Sequence, residues 1–165
     1  MRRLKRWVGP LAFLALTAGC ASQADPRPGL VGAWRSNVQF DTGMYAPVKD
    51  FQFLYVIHED GTLTESSNYD AAPPVPPSYG VWRMTGPNEF QAEYVFFITA
   101  PSPPDQFKTG GGWVPSGHGV VREQITLSAD GDSFTSKIQW EAFDKEGKSA
   151  PGGGAGTTRA SRIEL

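Results

Sequence analysis

The chain has 165 residues, 15 Lys and Arg against 17 Asp and Glu, a formal net charge of −2 and one cysteine. That length suits one domain with a single core. The acidic balance argues against nucleic acid or an anionic lipid surface as partner, since both need basic patches, and a lone cysteine leaves no intrachain disulfide.

Residues 1–19 begin with "MRRLKRW", a segment carrying Arg2, Arg3, Lys5 and Arg6. The apolar run "VGPLAFLALTAG" that follows is too short to span a bilayer as a stable helix, which is the architecture of an export signal. It ends in "LTAGC", where Ala18 and Gly19 lead into Cys20. This ending resembles a bacterial lipoprotein lipobox, with Thr17 standing where leucine is commonest. The resemblance implies cleavage before Cys20, acylation of its thiol and attachment to a membrane of the cell envelope. Ala21 after the cysteine favours the periplasmic face of the outer membrane. Acyl chains contribute about 0.8 kcal/mol per buried CH₂, so several of them hold a domain without a spanning helix. Without the four basic residues of the signal, 11 Lys and Arg face 17 Asp and Glu, a net charge near −6. Residues 20–29, "CASQADPRPG", read as a flexible tether bearing the lipidated cysteine, and residues 30–165 as the domain.

After Leu30 nearly every segment alternates apolar and polar residues between turn signals. Eight strands are predicted: 32–40, 51–58, 62–69, 79–85, 89–99, 118–128, 133–143 and 157–165. Asp60-Gly61, "ADGD" (129–132), "DKEGK" (144–148) and "GPN" (86–88) supply hairpin bends. Phe51, Phe53, Tyr55 and Ile57 share one face of their segment. So do Phe90, Ala92, Tyr94, Phe96 and Ile98, and Phe134, Ile138, Trp140 and Ala142. One face apolar and one wet is the pattern of antiparallel sheet. No stretch keeps a helical period over three turns. The expectation is an all-β, eight-stranded antiparallel up-and-down β-barrel, which leaves no exposed edge, with a β-sandwich as the alternative. A transmembrane barrel is set aside on charge: "VVREQITL" carries Arg122 on one face and Glu123 on the other, and the outward faces are rich in Lys, Glu and Gln. The glycine runs "TGGG" (109–112) and "GGGAG" (152–156) precede neither a lysine nor a helix. They are expected to be flexible connections rather than phosphate loops.

In a closed barrel the first and last strands are neighbours. Trp34 on the first strand can plug one end, with Gly32 permitting close backbone approach. A guanidinium from the last strand, Arg162 in preference to Arg159, can lie flat on the indole and bond nearby carbonyls. In these residues the chain resembles the calycin superfamily of lipocalins, fatty-acid-binding proteins and avidins. The resemblance implies a lipocalin-like barrel over most of residues 30–165. Arg35 and Ser36 follow the tryptophan where lipocalins tend to carry a tyrosine and an acidic residue. The further pairs Gly80-Val81-Trp82 and Gly111-Gly112-Trp113 read as incidental to closure.

Chemistry-bearing residues are sparse. His58 and His118 have no second ligand cluster, so neither a metal site nor a cofactor is expected. Ser116, near His118, lacks the Gly-x-Ser-x-Gly elbow of a hydrolase. No paired acid and base supports an enzyme. The expected function is a membrane-anchored barrel that binds a small apolar ligand, with walls of Phe53, Tyr55, Tyr94, Phe96, Phe134, Ile138 and Trp140. The long loops 70–78 and 100–117, the second with Phe107 and Trp113, would border its mouth. The alternative is an envelope structural or protein-interaction lipoprotein, including a calycin-type protease inhibitor, whose barrel is filled by the same side chains.

Overall fold

Alternating sequence becomes alternating burial. A computed structural model describes residues 29–69, 77–102 and 112–164. It contains eight strands: β1 (Gly32–Phe40), β2 (Phe51–Ile57), β3 (Thr62–Ser67), β4 (Ser78–Gly86), β5 (Glu89–Pro101), β6 (Trp113–Leu127), β7 (Ser133–Asp144) and β8 (Ser149–Arg162). Each strand pairs antiparallel with its successor, and β8 returns to pair with β1 from Trp34↔Arg162 to Phe40↔Gly156. The sheet therefore closes into an up-and-down barrel, as the strand pattern predicts, and the sandwich alternative is excluded. The signal segment, Cys20 and tether residues 21–28 lie outside the described residues, as do 70–76 and 103–111 with Phe107.

The inward parity of each strand supplies the core. Phe51, Phe53, Tyr55 and Ile57 are all buried, as are Phe90, Ala92 and Tyr94, and Phe134, Ile138, Trp140 and Ala142. Outward positions on β5, β6 and β7 carry an ion ladder, in which Arg122 bonds Glu93 and Glu141 at 2.9 Å each. Half-exposed in water, that ladder contributes little to stability and marks the wet face.

Two strands are longer than the alternation indicates. β6 begins at Trp113 rather than 118, so the second long loop is shorter than expected. β8 begins at Ser149 rather than 157, and the run 152–156 is sheet, not a flexible connection. The physical reason is backbone crowding. A Cβ on Gly156 would collide with the carbonyl oxygen of Gln39, and one on Gly154 with that of Thr42. Glycine is what lets β8 approach the β1 side so closely.

The barrel has a plugged end and an open end. At the plugged end Trp34 is fully buried, stacks edge-on against Phe134 at 5.0 Å and donates its indole N–H to the carbonyl of Leu30 at 2.9 Å. Roughly 200 Å² of buried indole at about 25 cal/mol per Å² contributes on the order of 5 kcal/mol. Arg162 covers this plug, its guanidinium carbon 4.2 Å from the Trp34 ring. It donates to the carbonyls of Gly29, Val31 and Gly131 at 2.7–3.0 Å. Gly32 sits directly beneath the guanidinium with φ +140°, and a Cβ there would lie 2.5 Å from Nη1.

Candidate functional site

Toward the other end the interior is hollow. A cavity of about 240 Å³ opens where β1 and β7 end and where β2 and β4 begin, with its wall drawn largely from aromatic side chains. Tyr45, from the connection between β1 and β2, is the hub of that wall. Its ring lies 5.1 Å from Trp140, 5.6 Å from Phe51, 5.6 Å from Tyr69 and 5.7 Å from Phe40. Phe96 continues the cluster at 5.8 Å from Trp140. Such offset and edge contacts hold the rings in fixed attitudes and present apolar surface to whatever occupies the space.

Of the seven wall residues named from sequence, Phe53, Phe96 and Trp140 line this cavity. The other four lie below it. Tyr55, Tyr94, Phe134 and Ile138 are buried in the lower barrel, where Tyr55 packs against Phe134 at 6.0 Å and Tyr94 at 6.3 Å. The barrel is thus filled in its lower half and hollow in its upper half. His58 is exposed at the end of β2, while His118 lies on β6, stacked on Phe143 at 5.1 Å. The two histidines belong to opposite ends of the barrel. Among the described residues no group of three or more His, Cys, Asp or Glu could hold a metal ion.

Two buried carboxyls stand outside the set of site residues expected from sequence. Glu123, on β6, faces the interior and not water, against what charge alone suggests for its place in "VVREQITL". The hydroxyls of Tyr94 and Tyr55 donate to its Oε2 at 3.1 and 3.3 Å, and Ser136 donates to its Oε1. These three donors saturate it. Burial raises its pKa, and the hydrogen bonds oppose that rise. Glu65, on β3, lines the cavity itself and is 5 % exposed. Ser78 donates to its Oε2 at 2.5 Å, whereas its Oε1 has no partner among the described residues. Burial pushes this carboxyl up to about 7, partly offset by the Ser78 bond, and Glu123 adds to the rise. The indole N–H of Trp140, a second cavity residue, is also buried without a partner among the described residues. The signal that finds both carboxyls is parity. Glu123 alternates in step with Val121 and Ile125, and Glu65 with Leu63, so both belong to the apolar face of their strands.

No family model matches the chain, and no curated protein is similar to it in sequence.

Proposed function

We propose that the protein is a lipid-anchored, lipocalin-like binding protein of the bacterial envelope that holds a small, mainly apolar molecule in the open half of its barrel. The observation that carries this reading is the 240 Å³ cavity walled by aromatic rings at one end of an otherwise packed interior. Small-molecule sites are concave and mostly apolar, with a few polar groups that fix orientation. Glu65, Ser78 and Trp140 are such groups here. The export signal and the "LTAGC" ending support acylation of Cys20 and residence at a membrane, with the outer membrane's periplasmic face preferred. The calycin resemblance rests on Gly32, Trp34 and Arg162 at the barrel seam. The role is retention rather than turnover: Glu123, the second interior carboxyl, has its oxygens taken up by Tyr55, Tyr94 and Ser136 below the cavity.

A second reading, protein interaction, has one observation in its favour. Val56, Tyr79 and Val95 are exposed in one row across β2 to β5, with Thr64 of β3 between Val56 and Tyr79, and Leu54, Val81 and Phe97 are exposed on the same strands. Exposed apolar surface of this kind marks docking sites. The cavity is the more specific feature, and it supports the first reading.

Native mass spectrometry of protein extracted from membranes tests the leading reading. A retained small molecule of constant mass is expected, and Val121→Phe, which adds bulk to the cavity wall, should remove it at a stability cost of about 1–3 kcal/mol. A ligand-free spectrum from folded wild-type protein would overturn the proposal.

A further inference from the structure

The cavity wall holds a buried carboxyl oxygen without a hydrogen-bond partner among the described residues. Glu65 is nearly inaccessible, its Oε2 is engaged by Ser78, and its Oε1 has no partner among the described residues. An unpaired buried acceptor is costly, more so when charged, so an occupant that donates to it is favoured. The surroundings select the sign of that donor. Among the described residues the buried ionisable side chains besides tyrosine are Glu65 and Glu123, and no Lys, Arg or His is buried to balance them. The rings of Tyr45, Phe51, Tyr69 and Trp140 share the cavity with Glu65. Aromatic faces are electron-rich, and a desolvated cation against them gains about 2 kcal/mol or more. An anion there would meet the Glu65 carboxyl and several ring faces at once.

We propose that the occupant is a small organic ammonium compound with an apolar body, its cationic head on Oε1 of Glu65 and its body among the aromatic rings. This rests on the ligand-binding reading above and names the class of ligand. The titratable groups coupled to Glu65 are Glu123 on β6, which raises its pKa, and Tyr45 from the β1–β2 connection, Tyr55 on β2 and Tyr94 on β5, whose pKa values Glu65 raises. The three tyrosines have pKa values raised above 10.0 and keep their protons across the neutral range. Glu65, pushed up to about 7 by burial, changes charge there, and of the two buried carboxyls it is the one that lines the cavity.

The test is calorimetric titration of the full chain in phosphatidylcholine nanodiscs with 2-phenylethylamine and its neutral counterpart 2-phenylethanol. The amine should bind at pH 8 at least tenfold more tightly than the alcohol. Its affinity should rise about tenfold from pH 6 to pH 8, because Glu65 ionises while the amine keeps its charge. The alcohol's affinity should stay level. Glu65→Gln should abolish both the preference for the amine and its pH dependence, and the wild-type pH series answers the same question without any variant. Equal affinities for the two compounds, or an amine preference that survives Glu65→Gln, would overturn the ammonium proposal and leave ligand binding intact. Failure of both compounds to bind would remove the ligand reading as well.

Discussion

A carboxyl set among phenylalanines and tyrosines must keep its proton or find a cation. Glu65 therefore makes stability depend on pH. Its folded-state pKa of about 7 lies above the ordinary 4.5, so the folded protein holds the proton more tightly than the unfolded chain. The associated stabilisation is complete below pH 4.5 and is lost as pH rises through 7. A shift of that size corresponds to about 3 kcal/mol. Urea unfolding should show wild-type stability falling between pH 5 and pH 8, and Glu65→Gln should remove that part of the slope. The raised pKa of Glu123 acts in the same direction and remains in the variant. An unchanged slope in Glu65→Gln would mean that Glu65 is not the titrating group. Both carboxyls are legible in the sequence only as members of alternating faces. Charge by itself points to water, whereas residue parity assigns Glu123 to the same side as Val121 and Ile125.

Among the elements, legibility follows side-chain content. β1, β2 and β7 announce themselves because their inward positions, Ser36 and Ser136 apart, are apolar and the bends between strands carry glycine, asparagine or aspartate. The first half of β8, "SAPGGGAG", has almost no side chains through which alternation could be expressed. Only the surrounding backbone, invisible in a single segment, reveals why it is strand: β1 and the turn after it come too close for a Cβ. Gly156→Val should therefore part the β1–β8 seam toward its open end, at a cost of about 1–3 kcal/mol or more. Gly112→Ala, where an added methyl meets nothing within 4 Å, is the matched control and should be nearly neutral. Chemical denaturation of the two variants checks the contrast. The aromatic hub is hidden for a related reason: Tyr45 and Tyr69 lie outside the strands, and only closure of the barrel brings them against Trp140 and Phe51.

For the whole molecule, closure is concentrated at one guanidinium. Arg162, on β8, bonds the carbonyls of Gly29 and Val31 just before β1 and that of Gly131 in the β6–β7 turn while lying on Trp34, so it joins the first strand, the last strand and a distant hairpin. Lysine keeps the charge but has neither the forked donors nor the flat face. Arg162→Lys should cost about 2–3 kcal/mol, read as a lowered urea midpoint with an unchanged m-value. A loss below about 0.5 kcal/mol would show that the plug is held by Trp34 packing alone. The placement of that plug also sets the two ends of the barrel apart. The chain joins the barrel at Leu30, on the plugged side, and the hollow lies at the far rim. On the proposed anchoring at Cys20, the lipid would attach to the side of the barrel away from the mouth. Cargo would then enter and leave by the rim opposite the point of attachment.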